Sequence, residues 1–164
     1  MTHSVQTELR MKSRLSEMPA LIQRLRSDPE LLARIRGREA DFLIAMREAL
    51  ANAVTHGNQS DGSKGVFVSY ACEANETLSI AVRDEGNGFE PIHFLSPNEM
   101  REDQERGIFL IRSSMDEVQF RKNGTEIYIC EKAGVRSDQS EVFVAGRRFR
   151  GRRHVKDYGE GDRC

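Results

Sequence analysis

The chain has 164 residues, enough for one domain with a real core. Its 38% hydrophobic and 31% charged residues describe an ordinary, rather polar protein. No apolar run is long enough to cross a bilayer and no secretory signal follows Met1, so a cytoplasmic protein is expected. Cys72, Cys130 and Cys164 are an odd set without C-x-x-C spacing, which points to reduced structural thiols. His3, His56, His93 and His154 are scattered, with no zinc spacing. The net charge of −1 hides an asymmetry. Six cations and no acid lie between Gly146 and Lys156, and without them the remainder carries −7.

In chain order, Val5 to Met11 reads as a short first strand with poor alternation. Leu15, Met18, Leu21, Ile22 and Leu25 recur at helical spacing, predicting a helix from Leu15 to Arg26. Ser27-Asp28-Pro29 ends it and can cap a short helix from Glu30 to Arg36. A long helix follows from Glu39 to His56. Phe42, Leu43, Met46, Leu50, Ala53 and Val54 form its core stripe, while Glu48, Asn52 and His56 line the opposite side.

Asn58 to Lys64 is a turn-rich loop. Val66, Val68 and Tyr70, then Leu78, Ile80 and Val82, alternate with more polar positions and read as an antiparallel hairpin joined by Glu73 to Glu76. Glu90 to Arg106 contains two prolines and many charges without a clean period. Ile108 to Met115 is predicted helical, and a second hairpin turns at Lys122-Asn123-Gly124. Glu141 to Ala145 can add a strand, and the rest of the C-terminal stretch is expected to be disordered. The predicted fold is a two-layer α/β sandwich, with helices covering one face of a mixed, mainly antiparallel sheet. The expected organisation is a domain over 5–133 and a basic extension over 134–164.

Four short patterns carry chemistry. Glu48, Asn52 and His56 sit on successive helical turns; the Asn52 amide oxygen suits a magnesium ion, and Glu48 can accept a proton from water or a protein hydroxyl. A solvated helix face has the same spacing. Asp84-Glu85-Gly86-Asn87-Gly88 leaves a strand; the Asp84 carboxylate can accept from an exocyclic amine such as that of adenine, with Gly86 and Gly88 letting a ligand approach. An ordinary glycine-rich turn looks alike. Arg106-Gly107 before a helix start is a natural anion site, or simply the end of a loop. Thr125 opens the last strand with a hydroxyl that can reach a ligand directly or through water, although Asn123-Gly124 needs no more than turn chemistry.

Taken in order, these pieces resemble the GHKL ATPase superfamily of histidine kinases, gyrase-type enzymes and heat-shock chaperones (the Bergerat fold). E-A-L-A-N-A-V-T-H-G from Glu48 and F-L-I-R-S-S-M-D-E-V from Phe109 resemble, within it, the small bacterial anti-sigma factor serine/threonine kinases. The resemblance covers about Val5 to Lys132. It implies ATP and Mg2+ as cofactors, Asn52 as the metal ligand and Glu48 as the catalytic base. It implies Asp84 on the adenine amine, Gly86 and Gly88 shaping the pocket, and His56, Arg106, Gly107 and Thr125 also bordering the nucleotide. Glu90 to Arg106 would be the lid. The implied partners are a sigma factor, which the protein sequesters, and a STAS-type antagonist protein, whose serine or threonine it phosphorylates; homodimers are implied as well. No phosphoacceptor-helix domain is visible, which speaks against a histidine kinase.

One position departs from the pattern. The family usually carries glycine two residues before the Gly107 position, and here it is Glu105. A carboxylate near a triphosphate is repulsive, though Arg101 and Arg106 can offset it. A partner-binding regulator with little or no kinase activity is therefore the alternative. In a third reading the Arg-rich tail, with Phe149 inside it, contacts nucleic acid.

Overall fold

The computed structural model describes residues 5–72, 77–88, 103–131, 139–144 and 147–152. The connection at 73–76, most of the expected lid at 89–102 (including Arg101) and the chain after Arg152 lie outside them. The strands β1 (Val5–Lys12), β2 (Gly65–Cys72), β3 (Leu78–Arg83), β4 (Glu117–Arg121) and β5 (Glu126–Glu131) form one sheet in the order β1-β2-β3-β5-β4. Every described pairing is antiparallel, in keeping with the mainly antiparallel sheet expected. The helices are α1 (Met18–Arg26), α2 (Pro29–Arg34), α3 (Glu39–Asn52) and α4 (Asp103–Ser114).

The period-two pattern fixes the sheet. Leu9 lies opposite Val68, Val68 opposite Val82, Val82 opposite Ile127, and Ile127 opposite Phe120, so one apolar row crosses all five strands. Shifting any strand by one residue would turn its apolar set to the other face. Leu21, Leu25, Leu31, Phe42, Met46 and Leu50 from the helices complete this core. Burying a side chain such as Phe42 or Leu50 stabilises by about 1.5–3 kcal/mol. Leu15, expected among the apolar helix positions, is 52% exposed; it belongs to a 3-10 turn preceding α1.

On the other face of the sheet the aromatic rings are covered by cations. Arg83 lies 4.2 Å and Arg10 5.3 Å from the Phe67 ring centre, and Arg121 lies 3.4 Å from that of Tyr128.

Two polar devices fix the helices. Asp28 Oδ1 accepts from the amides of Glu30 and Leu31 and caps α2, while its Oδ2 accepts from the Tyr70 hydroxyl at 2.6 Å. Arg38, at the start of α3, donates to Asp116 and to the Ser114 carbonyl, both at 3.2 Å, and pairs with Glu131. The start of α3 is thereby tied to the end of α4 and the end of β5.

After β5, β6 (Gln139–Val144) and β7 (Arg147–Arg152) pair antiparallel as a second sheet, and β7 lies near α4. The strand expected over 141–145 corresponds to β6, and β7 adds a second within the Arg-rich run. Among the described residues, no helix is long and apolar enough to cross a membrane.

Candidate nucleotide site

The long helix ends earlier than its apolar spacing predicts. From Ala53 to Gly57 the chain opens into one wide π-turn, with the Asn58 amide bonded to the Ala53 carbonyl at 2.8 Å. Such turns recur at functional sites because they shift the backbone sideways while keeping it bonded. Here the shift brings Gly57 against the loop that leaves β3. It also breaks the four-residue spacing that aligned His56 with Glu48 and Asn52, and His56 is exposed.

Glu48 and Asn52 themselves stay together. The side of α3 that carries them is covered by α4, so Asn52 is only 7% exposed rather than part of a solvated face. Gly107 is what lets the helices meet there. A Cβ at that position would stand 2.9 Å from Glu48 Oε2, 3.2 Å from Asn52 Nδ2 and 3.3 Å from Asn52 Oδ1. The buried Asn52 Nδ2 has no hydrogen-bond partner, a state that costs about 1–3 kcal/mol. Burial pushes the Glu48 carboxyl above its ordinary pKa, against the pull of Arg47. A proton acceptor of raised basicity and an unsatisfied amide thus share one cradle.

The predicted role of Gly107 at a helix start needs correction. α4 begins at Asp103, so Gly107 stands in its second turn and not before it. Only the first four amides of a helix lack an internal acceptor, and that of Gly107 is no longer among them. Asp103, Gln104, Glu105 and Arg106 extend the helix backward because all four are compatible with it and acids favour the first turn. Glu105 and Arg106 therefore lie on the opening turn, with Arg106 exposed.

Asp84 lies at the other end of the site, 9% exposed. Its amide donates to the Thr125 carbonyl at 3.0 Å, and its Oδ1 accepts from the Gly86 amide at 2.8 Å. Burial raises its pKa, more than the Gly86 hydrogen bond, Lys64 and Arg83 lower it. A Cβ on Gly86 would strike the Gly57 carbonyl oxygen. Gly88 has a positive φ of 78°, and a Cβ there would strike the Asn123 carbonyl oxygen. Lys122, Asn123 and Gly124 all take positive φ. Thr125 closes that turn with its own hydroxyl, donating to the Lys122 carbonyl at 2.9 Å, and its methyl lies 3.3 Å from where a Gly88 Cβ would be. The expected ligand-facing hydroxyl is thus engaged in the turn, while Thr125 still borders the Asp84 loop.

Two contributors escaped the sequence reading. Asn58, placed there in a loop, is fully buried: its Oδ1 accepts from the Glu85 amide at 2.8 Å and its Nδ2 donates to the Gly65 carbonyl at 2.9 Å. A Cβ on Gly57 would strike the Asp84 carboxylate. An asparagine just past a helix end is an ordinary loop residue by composition. Only the widened turn reveals that it points inward.

The model for the histidine kinase-like ATPase domain matches residues 12–130. The chain belongs to this family. The match starts at the last residue of β1, spans the helices and the other four strands of the sheet except the last residue of β5, and stops short of β6 and β7. No curated protein matches the chain. The residues present fit the family's magnesium nucleotide. Asn52 offers a hard amide oxygen beside an orphaned Nδ2, and Gly107 puts no side chain against either. Among the described residues no three His, Cys, Asp or Glu side chains gather to hold a metal by themselves. Phosphate oxygens and water would complete the coordination of an ion held by Asn52.

Proposed function

We propose that this protein is an ATP-dependent serine/threonine kinase of the anti-sigma factor type, which phosphorylates a STAS-type antagonist and sequesters a sigma factor in the cytoplasm, as a homodimer. The observation that carries the reading is the Glu48–Asn52 cradle against Gly107. A half-buried carboxylate of raised pKa, one helical turn from an amide that would hold the metal, supports a role in taking a proton from a hydroxyl as it attacks a phosphorus atom. Asp84 would hold the adenine amine, and magnesium would neutralise charge on the transferred phosphate. E-A-L-A-N-A-V-T-H-G supports the subfamily assignment.

The test is transfer of the terminal phosphate of ATP to purified antagonist proteins in the presence of magnesium. Transfer should disappear in Glu48→Gln and Asn52→Ala. ATP binding without transfer to any antagonist would overturn the kinase reading. It would favour the alternative of a partner-binding regulator, which Glu105 on the opening turn of α4 supports. Partner binding indifferent to ATP would favour it further.

A further inference from the structure

The contacts around Asp84 single out two residues to which no role has been given. Gly57 ends the wide turn, and the place of its missing Cβ is occupied by the Asp84 carboxylate: Oδ2 and Cγ fall on it, and Oδ1 lies 2.8 Å away. Its carbonyl oxygen fills the place of a Cβ on Gly86, whose amide donates to Asp84 Oδ1. Asn58 comes next. Its side chain joins the Glu85 amide to the Gly65 carbonyl, and the Gly65 amide donates back to the Glu85 carboxylate. The residue after Asp84 is therefore pinned to the start of β2. The Asp84 amide is held from the other side by Thr125. The backbone is thus held at Asp84 and at Glu85, the Gly86 amide holds Asp84 Oδ1, and Gly57 lies against the carboxylate.

We infer that Gly57 and Asn58 are specificity-determining positioning residues, which hold the Asp84 carboxylate in the orientation that selects a 6-aminopurine nucleotide over a 6-oxopurine one. The inference rests on the nucleotide reading of the site. A fixed carboxylate accepts from an amine and repels a carbonyl oxygen in the same place, leaving two acceptors face to face. Sites built on such pairing discriminate strongly because the wrong ligand leaves a buried group unsatisfied. A carboxylate free to turn away loses that advantage.

The decisive variant is Gly57→Ala. Gly57 takes no positive φ, so alanine suits its backbone, and the three atoms nearest to the added methyl all belong to the Asp84 carboxylate. Affinities for ATP and inosine triphosphate are measured by calorimetric titration of the full chain, wild type and variant. The wild type should prefer ATP by at least about tenfold, and Gly57→Ala should bring the ratio down about tenfold, towards unity. Asn58→Ala should lower the ratio in the same direction. The ratio does not depend on the folded fraction, since both ligands draw on the same population, so partial unfolding of a variant does not mimic the effect. A wild type that binds neither nucleotide overturns the nucleotide reading itself. A wild type that binds ATP but shows no preference, or variants that keep the full preference, overturn this inference alone.

Discussion

Gly107 on α4 and Asn52 on α3 meet where an added methyl would press on the Asn52 amide at 3.2 Å and on Glu48 Oε2 at 2.9 Å. Alanine at 107 suits a helix interior better than glycine by about 1 kcal/mol. Gly107→Ala should therefore fold with near-normal stability. It should weaken magnesium-dependent nucleotide binding about tenfold or more, as if a buried polar contact were lost. Titration with ATP, with and without magnesium, beside a thermal melt, checks both halves.

Glu48→Gln should reduce phosphate transfer by roughly 10²–10⁴, the usual share of a general base, while leaving ATP affinity within a few-fold. Transfer in the wild type should also fall on acidification at a higher pH than an exposed glutamate would give. Burial raises this carboxyl, and only its ionised form accepts a proton. A rate profile between pH 4 and pH 8 measures the midpoint.

Asp84→Asn should separate stability from binding. The folded-state pKa of Asp84 is raised, so its ionised form is disfavoured by folding. Its cost is absent below the unfolded value of about 3.9, grows as pH rises towards the folded value, and is complete above it. At pH 7 the asparagine variant should melt higher than wild type, and the difference should vanish in acid. Adenine nucleotide binding should be lost over the same range.

Tyr70→Phe should cost about 1 kcal/mol and Asp28→Ala about 1–3 kcal/mol, because the alanine also removes the cap of α2. The Tyr70 hydrogen bond, together with the Glu30 and Leu31 amides, holds the Asp28 carboxyl low. Its contribution is complete above the ordinary aspartate range and fades as pH falls through the lowered value. Burial first, then the bond to Asp28, push the Tyr70 phenol up to about 12. That contribution is complete below about 10 and fades as pH rises through 12. Denaturant melts across pH separate the two arms.

What could be read from the residues followed what each signal encodes. Apolar alternation places Val66, Val68, Ile80 and Val82 on one face, and the sheet uses that face. Asp28-Pro29 marks a helix start by local chemistry alone, and Asp28 caps α2. Glu48 and Asn52 were legible because four-residue spacing survives as long as the helix is regular. The spacing failed at His56, since a wide turn depends on what Gly57 and Asn58 meet in β2 and the Asp84 loop, contacts distant in sequence. The start of α4 was misplaced for a related reason: Gly107 looks like a breaker locally, but its lack of a side chain is used for contact with α3. The engagement of Thr125 with Lys122 depends on three consecutive positive φ angles, which Lys122 does not announce.

The strand order has a kinetic consequence. β5 inserts between β3 and β4, so pairing β3 with β5 must close the entire stretch from Asp84 to Thr125. Contacts so remote in sequence form slowly, after local hairpins such as β4–β5. The bond between the Asp84 amide and the Thr125 carbonyl lies directly beyond that pairing. In a refolding experiment, recovery of nucleotide binding should therefore lag behind helix formation and coincide with the final closure of the sheet. A ligand that recognises Asp84 would meet only chains that have completed this step, and would act as a latch on it.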